Sequence, residues 1–164
     1  MPPFPRLADA AVRRDDHRGW LEILYENDST TLKRSYSKAG VFRGLHVQSD
    51  PAPQIKLIRI VSGAVQDFVV SMKDPERTVH HTRLTPADGW IRIDAEYAHG
   101  FYAIEDSIFE YICIGGYDET SELAFSISER LPDLINSDTL ILSDKDRSAP
   151  PLTPIPKRSG DEQD

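Results

Sequence analysis

Turn-forming residues cut the chain into short apolar-rich runs almost from end to end, and that rhythm restricts it to an all-β architecture. Runs of strand character span 18–25 (RGWLEILY), 41–48 (VFRGLHVQ), 54–61 (QIKLIRIV), 65–72 (VQDFVVSM), 78–84 (TVHHTRL), 90–94 (WIRID), 100–104 (GFYAI), 107–114 (SIFEYICI) and 122–127 (ELAFSI). Between them stand SDPAP, SGA, KDPE, TPADG, EDS and GGYDET. Their Gly, Pro, Asp and Ser residues make turns because they accept positive φ, fix φ, or bond their own backbone. Many short strands at this spacing predict an antiparallel sandwich or barrel. The one helical prospect is SERLPDLIN, 128–136, which Pro132 keeps short. A chain of 164 residues supports one core rather than two. The expected domain runs over 1–152, and the Pro-rich, charged stretch 153–164 is expected to be an extended or disordered tail.

Charge narrows the function classes. Lys and Arg number 19 against 27 Asp and Glu, a formal net charge of -8. No basic stripe is available for a phosphate backbone, so nucleic acid is not an expected partner. No apolar run approaches the ~20 residues that span a bilayer, and the opening MPPFPRLADAAVRRDD lacks the apolar core of a signal peptide. A cytoplasmic protein away from membranes is expected. Cys113 is the single cysteine, so no internal disulfide forms, and it reads as a small buried hydrophobe. An anionic ligand would have to be drawn by local Arg and Lys inside a pocket.

Some strands do not separate polar from apolar. Strict alternation in 41–48 places Val41, Arg43, Leu45 and Val47 on one face, and Phe42, Gly44, His46 and Gln48 on the other. In 54–61, Lys56 shares a face with Gln54, Ile58 and Ile60; in 107–114, Phe109, Tyr111 and Cys113 share one. A ligand cavity inside a small barrel would give such a polar floor. Histidine can remove a proton near neutral pH, lysine can stabilise an oxyanion, and tyrosine can return a proton from the opposite side. That set suits proton abstraction beside a carbonyl. From the residues alone, His46 is equally a satisfied core imidazole, Lys56 can snorkel, and Tyr111 and Tyr117 can be packing aromatics. His80 and His81 are adjacent and point to opposite faces, and His17 beside two aspartates reads as solvated. His46 and His99 alone do not make a metal-ligand set, so no metal is expected.

Taken in order, FRGLHVQ, QIKLIRIVSGAVQDFVV, AHGFYAIED, FEYICIGGY and LSDKDRSAPPL resemble the signature segments of the dTDP-4-dehydrorhamnose 3,5-epimerase family, over about residues 16 to 152. The resemblance implies a cupin jelly roll with a short C-terminal helical segment, a homodimer, no metal or other cofactor, and a nucleoside-diphosphate 4-keto-6-deoxy hexose as substrate. It implies His46 as general base with Asp146 as its dyad partner, Lys56 beside the C4 oxygen, and Tyr111 as the acid on the opposite face. Arg18, Arg43, His99 and Tyr117 match substrate-binding positions, and Glu22 and Gln48 complete that set. Inversion at C3, C5 or both is implied; a cupin 3,4-ketoisomerase and a non-catalytic nucleotide-sugar binder are the alternatives. The chain departs from the family pattern before RGLH, where a usual QDN.S.S run reads TLKRSYS: Ser35 and Ser37 are kept, and Thr31 and Lys33 stand at the Gln and Asn positions. The approach to His99 is also shortened, with DAEY in place of the usual Pro-Gly.

Overall fold

A computed structural model describes residues 12–156. In chain order the strands are β1 (Val12–Asp16), β2 (Gly19–Glu26), β3 (Thr30–Ser37), β4 (Phe42–Gln48), β5 (Ile55–Ser62), β6 (Val65–Ser71), β7 (His80–Leu84), β8 (Ile91–Ile93), β9 (Tyr97–Ala103), β10 (Ser107–Ile114) and β11 (Glu122–Ala124). One helical turn, α1 (Asp144–Arg147), follows. The strands pair antiparallel in two sheets, ordered β1-β2-β3-β10-β5-β8 and β11-β4-β9-β6-β7. This is an all-β jelly-roll sandwich of the cupin type.

Alternation explains how each sheet is covered. Ile58 and Ile60 of β5 and Phe109 of β10 point between the sheets and meet Val65, Leu84 and Phe101 from the other sheet. Phe101 and Phe109 stack across the gap with centroids 4.4 Å apart, joining β9 to β10. A second cluster lies on the outer side of the five-stranded sheet. There Phe42, Leu45, Val47, Phe68, Val70 and Ala98 are roofed by Ile127, Ile135 and Leu152 from the C-terminal segment. The central strands of that sheet therefore bury both faces, which is why β4 and β6 carry few exposed side chains. On the outer face of the other sheet Glu110 is buried between its two cross-strand neighbours, Arg34 and Arg59, each of which donates two hydrogen bonds to one carboxylate oxygen.

Several expectations need correction. Strands β1 and β3 were not anticipated from the pattern. The segment 128–136 holds a single 3-10 turn, Ser128–Arg130, and the α-helical turn lies further on at Asp144–Arg147, where the Ser143 hydroxyl accepts from the Asp146 N–H. The expectation for 153–164 is not among these corrections: 153–156 has no regular structure, with the Ile155 N–H donating to the Pro75 carbonyl at 2.8 Å, and 157–164, like the opening 1–11, lies outside the described residues. Among the described residues no helix is long and apolar enough to cross a membrane.

Candidate active site

The faces of β4 do not follow strict alternation, and one extra residue is the cause. Arg43 pairs with Phe101 of β9, whereas His46 pairs with His99, so three steps along β4 match two along β9. Such a bulge re-aims side chains by half a period. Arg43 and His46 consequently face the same side, between the sheets, while Phe42, Leu45 and Val47 face the outer cluster. Glycine makes the bulge feasible. Gly44 has φ of 106°, and a Cβ there would lie 2.6 Å from the His99 carbonyl oxygen and 2.7 Å from the Gly100 Cα.

The space between the sheets opens into a cavity of about 480 Å³. Arg43, His46, His99 and Phe101 line it from the five-stranded sheet; Leu21, Ile23, Lys33, Lys56, Ile58, Phe109 and Tyr111 line it from the other. Tyr117, Glu122, Ser143 and Lys145 close one side, and Arg14, Arg18 and Glu26 stand at the edge formed by the first strands. Of the residues expected at a site, His46, Lys56, Tyr111, Arg18, Arg43, His99 and Tyr117 are thus brought together. Asp146 lies directly behind His46.

Two of the expected binding residues point elsewhere. Glu22 sits between Leu21 and Ile23 on β2, so alternation turns it to the outer face, where it pairs with Arg13 at 3.3 Å. Gln48 is buried and ties down a loop: its amide donates to the Gly116 carbonyl at 2.6 Å and its carbonyl accepts from the Asp118 N–H at 3.2 Å.

His46 Nε2 lies 2.7 Å from Asp146 Oδ1, and the Gly44 N–H donates to the other oxygen at 3.2 Å. Burial disfavours the charge on Asp146, but the hydrogen bonds from His46 and Gly44 prevail and hold its carboxyl below the usual carboxylate range. An ionised Asp146 fixes the proton on Nε2 and leaves Nδ1 with a free lone pair. A second imidazole is held the same way: His99 Nε2 meets Asp67 Oδ1 at 2.8 Å, with both side chains buried. Asp67 was legible in VQDFVV as a carboxylate in an apolar strand, which demands a buried partner.

Lys56 stands opposite Cys113 in the β5–β10 pairing, and its ammonium reaches the His46 carbonyl oxygen at 3.4 Å, so it bridges the two sheets. Burial depresses its pKa, and burial likewise raises those of Tyr111 and Cys113. Tyr111 is therefore a neutral phenol with a proton to give. Arg43 donates to the Ser37 hydroxyl at 2.8 Å and to the Tyr36 carbonyl at 3.1 Å. Arg18 pairs with Asp16, whose carboxyl that contact lowers to about 2. Tyr117 is about half exposed; its hydroxyl donates to Glu122, which also takes the Lys145 ammonium, and partial desolvation together with Glu122 pushes the phenol up to about 12. Lys33, Glu122 and Lys145 complete the polar wall and were not proposed from the sequence. Cys113 is buried, and His17, His80 and His81 are exposed. Among the described residues no three His, Cys, Asp or Glu side chains converge as a metal-ligand set.

The enclosed Lys56 ammonium implies a cost in stability. With its folded pKa below the unfolded one, it weakens the fold at pH below the folded value, and the deficit closes as pH rises toward the unfolded value. Lys56→Met is expected to raise stability at neutral pH by about 1–2 kcal/mol, with the gain shrinking in alkaline buffer, while activity is lost. Thermal melts across pH check it.

A model of the dTDP-4-dehydrorhamnose 3,5-epimerase family matches residues 10–154. The chain belongs to that family. The dTDP-4-dehydrorhamnose 3,5-epimerase of Streptomyces griseus is 30% identical over 143 residues, 82% of this chain and 70% of the relative. The dTDP-4-dehydro-6-deoxyglucose 3-epimerase of Streptomyces bikiniensis is 29% identical over 161 residues, 86% and 81% of the two. Across the curated relatives it matches, this epimerase-family chain spans between 65% and 81% of their lengths. A solved dTDP-4-dehydrorhamnose 3,5-epimerase from Bacillus anthracis, with TDP and PPi bound, superposes with a TM-score of 0.67 at 26% identity over 87% of this chain and 91% of that one.

Proposed function

We propose that this chain is an isomerase that inverts C3, C5 or both of a dTDP-4-keto-6-deoxy hexose in deoxysugar biosynthesis, with His46 and Tyr111 as its base and acid. The observation that carries the reading is their placement on facing sheets, His46 on β4 and Tyr111 on β10, with one cavity between them. Inversion needs a proton removed from one face of a carbon and delivered to the other.

His46 Nδ1 takes the proton alpha to the C4 ketone, and the C–H electron pair moves into the carbonyl, leaving an enolate oxygen. Lys56 stabilises that oxygen as a buried cation, where its charge is worth more than in water. Asp146 keeps the ring oriented and stabilises the imidazolium. The enolate carbon then takes the Tyr111 phenolic proton from the other side. Solvent restores the starting state by removing the imidazolium proton and reprotonating the phenolate. Arg18, Arg43, His99 and Tyr117 hold the substrate, the two arginines as cations beside its diphosphate.

Incubation with dTDP-4-dehydro-6-deoxyglucose and proton NMR of the products tests the reading. Product inverted at C3 and C5 is expected; inversion at C3 alone would place the chain with the S. bikiniensis relative's activity, and recovery of unchanged substrate with no inversion would refute the proposal. The same reading includes a cytoplasmic homodimer. Support comes from the half-exposed cross-strand row Leu32, Ile112 and Leu57 on the outer face of the six-stranded sheet. Sedimentation at twice the chain mass is the expected result.

A further inference from the structure

Lys33 stands out among the cations of the cavity. Arg18 is paired with Asp16, Arg43 donates to Ser37 and Tyr36, Lys145 to Glu122 and Lys56 to the His46 carbonyl; of the two lining cations without such a partner, Arg14 is exposed at the edge and Lys33 is half-buried. Among the described residues, no carboxylate lies within ion-pair distance of the Lys33 ammonium and no hydrogen bond is made to it. Two aromatic faces hold it instead, with Nζ 5.8 Å from the Tyr111 ring centroid and 5.3 Å from that of Tyr117. Cation–π contacts of this length fix an ammonium while leaving its N–H donors unused. Lys33 is the direct cross-strand partner of Tyr111 on β10, and it is one of the two positions, with Thr31, at which TLKRSYS departs from the family's usual run.

The location defines what the ammonium faces. Tyr111 lines the cavity together with His46 and Lys56, where the epimerase reading places the reacting sugar ring, and Tyr117 is the more exposed of the two rings. A ligand with its sugar at the first and its base toward the second must carry its diphosphate across the interval, and Lys33 lies between the two rings. We infer that Lys33 binds the diphosphate of the nucleotide sugar and is a determinant of affinity that this chain has in addition to its arginines. The inference rests on the epimerase reading. It explains why an unpaired cation is retained in a cavity already positive around Lys56 and Arg43: the charge is neutralised on binding.

Titration calorimetry of wild type and Lys33→Met with dTDP, inorganic pyrophosphate and thymidine tests it. The variant should bind dTDP and pyrophosphate about tenfold more weakly, the loss of one charge-assisted hydrogen bond, with thymidine unaffected. Lys33→Arg should recover most of the affinity. Equal dTDP binding by wild type and Lys33→Met would overturn the inference, and so would an equal loss for thymidine, which would mean that Lys33 only props Tyr117. Absence of dTDP binding by the wild type would instead overturn the epimerase reading, and this inference with it. A melting temperature unchanged in Lys33→Met confirms that the comparison is between folded proteins.

Discussion

Replacing His46 with alanine is expected to lower kcat by about 10²–10⁴-fold, the usual contribution of a positioned general base, with dTDP affinity unchanged. That is about 3–5 kcal/mol of transition-state stabilisation. The expectation follows from the dyad: Asp146 accepts from Nε2 at 2.7 Å, which leaves Nδ1 as the only basic nitrogen of the ring. Alanine also strips a partner from a buried carboxylate, a loss of about 1–3 kcal/mol in stability. His46→Asn separates the two effects, because its amide can still donate toward Asp146 yet cannot take a proton. Activity lost in both variants, with the melting temperature better preserved in the asparagine, is the predicted pattern; steady-state kinetics and thermal melts read it.

The largest stability effect should come from a residue with no side chain. Gly44→Ala is expected to destabilise the fold by about 3–4 kcal/mol, because a methyl group at positive φ would press on backbone rather than on a movable side chain. The atoms it meets, the His99 carbonyl oxygen at 2.6 Å and the Gly100 Cα at 2.7 Å, belong to the strand that carries the second imidazole. If the variant folds at all, β4 and β9 must separate or the bulge must slip, and a one-residue slip would turn Arg43 or His46 out of the cavity. Gly89→Ala is the control. Gly89 also has positive φ, 67°, with ψ of -148°, a combination close to glycine's own, but nothing lies within 4 Å of its hypothetical Cβ, so only the backbone strain, about 1–3 kcal/mol, should be felt. Urea melts of both variants compare the two, and a Gly44→Ala protein as stable as Gly89→Ala would remove the physical basis given for the bulge.

The sequence conveyed the all-β class because its turns are chemically explicit; its pattern marked His46, Lys56 and Tyr111 only as polar interruptions of apolar strand faces, and the family resemblance supplied their expected roles. It hid β3 for the same reason inverted. In that strand Leu32, Arg34 and Tyr36 point outward, while Thr31, Lys33, Ser35 and Ser37 point inward. A strand whose inner face lines a polar cavity loses the apolar-inside pattern by which strands are recognised. The cost was Lys33, which lies on it. Alternation on β2 was enough to turn Glu22 away from the cavity, since Leu21 and Ile23 flank it. Gln48 faces inward in principle, but the nearby 115–118 loop captures its amide, a tertiary contact that no local pattern announces. The bulge at Gly44 is of the same kind: an extra residue is visible only when β9 lies beside β4.

The central claim is that base and acid act from opposite sheets on one carbon. Its most direct test is the fate of label when dTDP-4-dehydro-6-deoxyglucose is incubated in deuterium oxide with wild type, Tyr111→Phe and His46→Ala. The wild type should give inverted product carrying deuterium at each epimerised carbon. Tyr111→Phe should incorporate deuterium with retained configuration, because His46 removes the proton and returns label to the same face, and His46→Ala should incorporate none. Inverted product from Tyr111→Phe at the wild-type rate, or labelling by His46→Ala as fast as by the wild type, would contradict it.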